Sequence, residues 1–583
     1  MDSTQKKRYF SRGKVVFIMD QNEYKIGTQM RLALGTDYET RKKAFDLNVG
    51  YDAYGSKWEL LIRYNGNLDV IAGEVGFTYI ELMNNYAIIL IHESKIDYLT
   101  GYVQILFIDK PKQMYNDQIN TKIACIQSCM NIEINDEFGI PGSLSGKGVL
   151  VAILDSGLDF GNSNFIEEDG QSKVLYYWDQ NVDGKAPFSY GFGTEYTANE
   201  INAPGFVKNN DESGHGTAVA SIVAQCANEV SFVIVKLRQY ENITECKTTS
   251  LICAIDYVIR IAEQLNMPLV INISYGNYYG DHAGNSFLES YIDSVSTKSK
   301  LSFVVGTGND GNTNRHTRID VEEYESYKTN FVVEQYETSI DLQIWHSFLD
   351  DISFMIVTPD GILLGPFTSY QPIAEFELLD MKILVIAGFP SQINEKQELY
   401  ISLVPKNTYI TAGQYTILIN TRTVIDGIID MWLPLANSTN SNSTFLTPSP
   451  DVTLTIPSSA KNVISVGAYD LRTERYANFS GRGFDADGNV KPDVCAPGVN
   501  IAVNLNDETK NYVTGTSFAT PFVTAAAALL MQWGIVLNND PFLFGQKLKI
   551  YLIKGARPLI GDAVIPNSKT GYGAICVEDS LKL

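Results

Sequence analysis

The sequence predicts an α/β protein built on a doubly wound parallel sheet, with a small α+β unit before it and an all-β insertion within it. Three observations support this. Apolar strands alternate with a helical pattern in the centre of the chain, a β-α-β-β-α-β order precedes them, and the helical period disappears between about residues 330 and 434. At 583 residues the chain is also too long for one compact core.

The first part of the chain predicts a split βαβ unit. Residues 1–56 form an N-terminal extension to which no elements are assigned. The following segments predict, in order, a strand, a helix, two strands around Asn84, a helix and a strand: 58–66, 68–76, 79–93, 94–102 and 103–111. We expect this unit to cover residues 57–118.

The central region predicts the parallel sheet. Residues 146–157 form a continuous apolar run that ends in a turn, which is typical of a buried parallel strand. The pattern recurs at 230–237, 267–276 and 300–309, with an amphipathic helix at 250–265. Functional groups in such sheets lie at the carboxyl ends of strands. The main domain is therefore expected in two parts, 119–318 and 446–583.

The segment between these two parts predicts an inserted β domain. Over residues 319–445, short strands alternate with turns, which is the pattern of a sandwich or jelly roll. A polar stretch at 437–450 closes the insertion as a loop, and helix–strand alternation then resumes at 463–469.

Charge and composition exclude several classes of protein. A formal net charge of -22 argues against nucleic acid and anionic membranes as partners. The seven cysteines are scattered without a metal-ligand spacing, which favours reduced, structural thiols. No apolar run reaches the ~18 residues of a membrane span, and no secretory signal is present. An intracellular protein is expected.

Three short motifs carry the predicted chemistry. Asp155 ends a buried strand in VAILDSG, His215 lies between two glycines in SGHGT, and Ser517 begins an apolar helix in GTSFATP. Each has an ordinary structural explanation, as a strand-end carboxylate, a core histidine or a helix N-cap. Taken together in this order, they indicate a nucleophilic serine with a histidine base and a carboxylate that orients it.

These motifs resemble the catalytic signatures of the subtilase superfamily, with Phe518 where methionine is usual. The stretches KPDVCAPG (491–498) and VISVGAYD (463–470) resemble it further. The resemblance implies a subtilisin-like serine endopeptidase whose triad is Asp155, His215 and Ser517. It also implies that Asn309 stabilises the oxyanion together with the Ser517 N–H. The implied substrate-binding residues are Ser274, Tyr275, Gly276, Gly306, Thr307 and Gly308.

Two further resemblances indicate which group of subtilases the chain is similar to. Residues 57–118 resemble a subtilase pro-domain, a folding template and inhibitor, which implies a zymogen whose mature part starts within about 112–126. The run 155–180 resembles the Csp subtilases of spore-forming bacteria. This implies an autoprocessed, intracellular or spore-associated peptidase that activates the precursor of a cortex-lytic enzyme during spore germination. The implied partners are that protein substrate, the chain's own pro-domain and related Csp subtilases.

Two alternatives remain at this stage. Some Csp members have lost triad residues and relay germinant signals as pseudoproteases or scaffolds, but this chain retains all three. A general intracellular degradative subtilase is disfavoured by the large insertion, which would restrict access to the site. No metal site is identified. Ca²⁺ is implied by family resemblance alone, with acidic stretches such as 320–325 and 166–170 as sources of oxygen ligands.

Overall fold

A computed structural model describes residues 23–116, 144–240, 242–368, 373–440, 442–506 and 509–582. The chain divides into two compact units. The first unit comprises Met1–Phe77, Ile91–Lys110 and Thr313–Ser449, and the second comprises Thr78–Leu90, Pro111–Asn312 and Pro450–Leu583. The predicted pro-domain segment thus contributes to both units.

The N-terminal segment has the predicted β-α-β-β-α-β order. Its strands and helices are Lys57–Tyr64, Leu68–Val75, Thr78–Glu81, Tyr86–His92, Ile96–Thr100 and Ile105–Asp109. The helix after the first strand begins with an Asn67 cap and ends at Gly76, whose positive φ of 79° suits glycine. The pattern of apolar residues was therefore sufficient to predict the order of these elements.

Residues before this order are also structured, although the sequence assigned them no elements. They form the helices Thr28–Gly35 and Tyr38–Arg41 and the short strand Tyr51–Asp52. Within the first unit, Gln29 donates to the Glu398 carboxylate over 2.9 Å, and the Arg31 guanidinium lies 5.0 Å from the Phe389 ring centroid. Contacts with the distant insertion thus help to hold these short helices.

The second unit is built on a nine-stranded sheet whose central strands are parallel. In spatial order its strands are Arg475–Tyr476, Val463–Asp470, Leu301–Gly306, Leu269–Ile273, Leu150–Asp155, Ser231–Lys236, Val174–Asp179 and Thr194–Thr197, and Val494–Pro497 also pairs with Val463–Asp470. Its described helices of eight or more residues are His215–Cys226, Thr248–Leu265, Phe287–Val295, Thr516–Met531 and Gly545–Gly555. This is the predicted doubly wound arrangement.

The hairpin of the N-terminal segment packs on two helices of the second unit. The Met83 N–H donates to the buried Asp256 carboxylate over 2.9 Å. The Tyr86 ring meets Phe287 and Tyr291 edge-on, with ring centroids 5.4 and 5.2 Å apart. Such edge-to-face contacts add to the free energy gained by burying the rings.

The insertion forms two antiparallel sheets that share one hydrophobic core. One sheet contains His316–Asp320, Ile428–Trp432, Ile340–Ser347, Lys396–Pro405, Met381–Ala387 and Ala374–Glu377. The other contains Leu363–Phe367, Ile352–Val357, Gly413–Thr421, Ser326–Val333 and Thr444–Phe445. The β character of the insertion agrees with the sequence pattern, and the jelly-roll description stays a prediction.

One described helix, Thr516–Val536, is long and apolar enough to cross a membrane. However, 83% of its most apolar window is buried inside the protein. Residues of this helix belong to the main hydrophobic core of the second unit. Its hydropathy is therefore explained by burial against the sheet.

A buried carboxyl beside this sheet predicts a pH-dependent stability. Glu289 has no solvent exposure, and burial raises its pKa from 4.5 to about 7 against hydrogen bonds from Ser459 and Ser286. A raised folded-state pKa gives stability that is present below pH 4.5 and is lost as the pH rises to about 7. We expect Glu289→Gln to stabilise the protein by about 1–3 kcal/mol at pH 8 and to change little at pH 4.

Unfolding midpoints measured across this pH range would check the prediction, with the exposed Glu168→Gln as the control. A difference between wild type and Glu289→Gln that does not change with pH would contradict it.

Candidate active site

Two of the predicted catalytic side chains form a buried hydrogen-bonded pair. Asp155 is the last residue of its strand, and His215 is the first residue of its helix. The His215 Nδ1 lies 2.7 Å from the Asp155 Oδ1, with neither side chain exposed. A Cβ at Gly216 would lie 2.4 Å from the Gly157 carbonyl oxygen, so glycine after the histidine permits this close approach.

The charge around His215 favours its protonated form. Burial lowers the pKa of the imidazole, but the attraction and hydrogen bond of Asp155, aided by the charge of Asp211, raise it above 6.5 overall. Asp211 also accepts hydrogen bonds from Ser156 and Thr217, which fixes the loop before the histidine. The sequence analysis missed Asp211, although it lies only four positions before His215.

Ser517 lies at the start of its helix, and the side chain of the residue after it contacts His215. The ring of Phe518, the next residue, has its centroid 5.4 Å from that of His215. Ser517 Oγ and His215 Nε2 are both buried, and neither has a hydrogen-bond partner in the described part of the chain. The bond between them is not formed in this structure, and such bonds often tighten only when substrate binds.

Asn309 is oriented as an oxyanion donor would be. Its Oδ1 accepts hydrogen bonds from the N–H and Oγ1 of Thr516, over 2.9 and 3.2 Å. With the oxygen facing Thr516, the Nδ2 amide is directed elsewhere. The Ser517 N–H is one of the backbone donors that a helix N-terminus leaves unpaired, so both donors suit a developing oxyanion.

We expect Asn309→Ala to lower kcat by about 10²–10³-fold while changing KM little, because the donor acts on charge that exists only in the transition state. Steady-state kinetics on a peptide ester would measure both constants. A raised KM with unchanged kcat would instead assign Asn309 to ground-state binding.

The predicted substrate strand is already paired with an extended segment of the chain. The strand Gln113–Asn116 lies between Asn242–Lys247 and Tyr275–Gly276 and pairs antiparallel with both. The register places Tyr115 opposite Gly276 and Asn116 opposite Tyr275. The segment thus adds a strand to Tyr275–Gly276 in the way that an extended peptide can bind.

The remaining predicted substrate residues belong to the same unit as this strand. Ser274 Oγ donates to the Ser517 carbonyl oxygen over 3.4 Å. Gly306 ends its strand, the Thr307 carbonyl accepts the Thr455 N–H, and Gly308 has a positive φ of 83°. All six lie in the second unit with the triad.

The described residues reveal no metal centre. Among them, no group of three or more His, Cys, Asp or Glu side chains is placed to hold an ion. The described cysteines are free: Cys226, Cys246, Cys253 and Cys495 are buried and Cys576 is half-buried. Cys125 and Cys129 fall outside the described residues.

The site combines a buried histidine–carboxylate pair with a serine at a helix start, on a parallel sheet to which a peptide strand is added. This arrangement defines a serine peptidase of the subtilisin class. The family comparison gives the same class. The profile of the subtilase family matches residues 146–396 and 433–573, and that of the Csp protease B prodomain matches residues 24–112. The chain belongs to the subtilase family.

Comparisons with individual proteins indicate the same class of enzyme. The structure of the Clostridium perfringens CspB protease is 31% identical, with a TM-score of 0.71, and the match covers 77% of this chain and 96% of that one. Bacillopeptidase F of Bacillus subtilis is 32% identical over 134 residues, and the thermophilic serine proteinase of Bacillus sp. is 42% identical over 78. These two matches span only 9% and 18% of the relatives' own lengths.

The comparisons confirm the predicted fold and the predicted class of enzyme, a subtilisin-like serine endopeptidase with a Csp-type prodomain. The prodomain match begins at residue 24, well before the predicted start at 57. This agrees with the structured helices found in the region predicted as an extension.

Proposed function

We propose that this chain is a self-processing serine endopeptidase in which Asp155, His215 and Ser517 act as the triad. The observation that carries the proposal is the strand Gln113–Asn116, which pairs with the predicted substrate-binding residues Tyr275 and Gly276 as a cleavable peptide would. It is anchored further by the Asn277 side chain, whose amide donates to the Gln113 carbonyl over 3.0 Å. The pro-domain thus enters the cleft as the first substrate and as an inhibitor.

The chemistry follows from the groups at the site. His215 Nε2 removes the proton from Ser517 Oγ, which attacks the peptide carbonyl carbon, while Asp155 stabilises the imidazolium. Asn309 and the Ser517 N–H hold the oxyanion. The imidazolium then protonates the leaving amine, and water repeats the sequence to release the acyl group from the serine.

The register of the bound strand limits where the chain is cut. The pairing is antiparallel, with Tyr115 opposite Gly276 and Asn116 opposite Tyr275, and Ser274, the residue before Tyr275, contacts the Ser517 backbone. The bond to be cleaved therefore follows Asn116. The mature part is predicted to start within about 112–126, so the proposed processing site lies within residues 117–126.

The biological role that we propose is activation of the precursor of a cortex-lytic enzyme during spore germination, by an intracellular or spore-associated enzyme. The match to the Csp protease B prodomain and the likeness to the CspB protease support this role. Incubation of the processed protein with a purified precursor, followed by sequencing of the new N-terminus, would test it. A precursor left intact by an enzyme that cleaves peptides would exclude this substrate.

Labelling with a fluorophosphonate and intact-mass analysis together test the proposed activity. We expect the wild type to lose a fragment that ends within 117–126 and to take one probe per chain, whereas Ser517→Ala stays whole and unlabelled. A wild type that stays whole and unlabelled would favour the pseudoprotease interpretation, because an unactivated serine does not react.

A further inference from the structure

The strand Leu269–Ile273, in the middle of the parallel sheet, contains one polar residue among apolar ones. Its sequence is LVINI, and the polar residue, Asn272, has no solvent exposure. Asparagine is depleted in strands, and burying an amide costs free energy unless its polar atoms are hydrogen-bonded. The partners of the Asn272 amide therefore show what this residue contributes in a place that suits an apolar side chain better.

Both ends of the Asn272 side-chain amide are hydrogen-bonded. Its Nδ2 donates to Ser274 Oγ over 3.1 Å, and its Oδ1 accepts from Thr524 Oγ1 over 2.9 Å. Ser274 Oγ in turn donates to the carbonyl oxygen of Ser517 over 3.4 Å. All four side chains are fully buried. The amide thus connects its strand to the helix that begins with the proposed nucleophile.

These bonds reach the helix Thr516–Met531 at two places on one face. One place is the backbone of Ser517, and the other is the side chain of Thr524, about two turns further along. Side chains two turns apart lie on nearly the same face of a helix. A single attachment would let the helix turn or slide against the strand, whereas two attachments resist both movements.

The strand of Asn272 also lies between the strands that lead to the other proposed catalytic groups. It pairs on one side with the strand that ends at Asp155 and on the other with Leu301–Gly306, which precedes Asn309. The backbone hydrogen bonds of the sheet fix these strands relative to one another. A link from Asn272 to the serine helix therefore fixes that helix relative to Asp155 and Asn309.

We propose that Asn272 is a positioning residue of the peptidase site, which holds Ser517 in register with the histidine–carboxylate pair through Ser274 and Thr524. The proposal rests on the proposed peptidase function. Reacting groups must be held within about 0.5 Å of their productive geometry. A displacement of about 1 Å, caused by a change away from the reacting atoms, can lower the rate about 10²-fold.

The test replaces Asn272 by leucine, which has a similar shape and leaves neither neighbouring hydroxyl without an acceptor. Ser274 Oγ keeps its bond to the start of the helix, and Thr524 Oγ1 lies 3.1 Å from the Thr520 carbonyl oxygen, to which it can donate instead. Replacing an amide by an apolar group of the same shape costs little when its partners stay bonded. The folded state should therefore survive the change.

We expect Asn272→Leu to lower kcat for a peptide ester by about 10²-fold and to change KM little, because a misplaced nucleophile affects the chemical step. The rate is taken per chain that a fluorophosphonate labels at completion, so that unfolded molecules are not counted. The activity should fall at the same acidic pH as in wild type, because the pair of His215 and Asp155 is intact.

Thr520→Val is the matched control and should keep wild-type kcat. Thr520 is as buried as Asn272 and belongs to the serine helix, but its hydroxyl donates to the Thr516 carbonyl within that helix, over 2.8 Å. Equal losses of kcat in the two variants would assign the effect to disturbed packing and would overturn the proposal.

Two further variants test the route of the effect. If Asn272 acts in part through Ser274, the losses of kcat in Asn272→Leu and Ser274→Ala should not multiply in the double variant. Losses that do multiply would contradict the proposal. If Asn272→Leu does not fold, Thr524→Val makes the same comparison from the other end of the amide and should lower kcat with KM kept.

Labelling separates failure of this proposal from failure of the proposed function. An Asn272→Leu protein with wild-type kcat per labelled chain, even with a lower unfolding midpoint, would limit Asn272 to a structural role and leave the peptidase function standing. A wild type that takes no label would overturn both.

Discussion

Replacement of Ser517 by alanine should lower peptide turnover by about 10⁶-fold, the largest effect expected of any single substitution in this chain. The Oγ is the atom that forms the acyl bond in the proposed mechanism, and the neighbouring hydroxyl of Thr516 at the same helix start is bound to Asn309. Loss of Oγ removes no hydrogen bond of the described part of the chain, because that atom has no partner there. The folded state should therefore survive the change.

Single-turnover hydrolysis of an activated peptide ester can measure a loss of turnover as large as the one expected for Ser517→Ala. Ser221→Ala is a matched control, because Ser221 is also fully buried and its Oγ also has no hydrogen-bond partner among the described residues. It lies on the histidine-bearing helix and should keep wild-type turnover. Equal losses in the two variants would point to a packing effect instead of removal of the nucleophile.

The parts that the sequence predicted well depend on local patterns. The strand that ends at Asp155 is a continuous apolar run, so its position follows from burial on both faces of a parallel sheet. The glycine after His215 was informative because a Cβ there would collide with the Gly157 backbone. Constraints of this kind restrict the residue type at the position itself, so the sequence shows them directly.

The features that sequence reasoning missed depend on distant partners. The helix Thr28–Gly35 is held in part by the bond between Gln29 and Glu398, which lie far apart in the chain. The strand Gln113–Asn116 is held in place largely by backbone hydrogen bonds, which need no particular side chains and so leave no pattern.

Replacement of Asp155 by asparagine should lower kcat by about 10⁴-fold while leaving the Ser517 nucleophile in place. The carboxylate accepts from His215 Nδ1 over 2.7 Å, which leaves Nε2 free to act as the base, and it stabilises the imidazolium. An asparagine amide facing Nδ1 would favour the wrong tautomer. A fluorophosphonate should still label Ser517 completely in this variant, and the labelling rate should fall in proportion to kcat. Complete labelling would confirm that the nucleophile is still present.

The pH profile separates this effect from simple misfolding. Burial lowers the pKa of His215, but the pairing with Asp155 raises it above 6.5 overall, so wild-type kcat/KM should fall as the pH drops through a value above 6.5. In Asp155→Asn the larger raising cause of the His215 pKa is lost, while burial and the smaller effect of the Asp211 charge remain, so the residual activity should persist to lower pH. If the activity of both proteins fell at the same acidic pH, another group would control the reaction, and Asp155 would not act through His215.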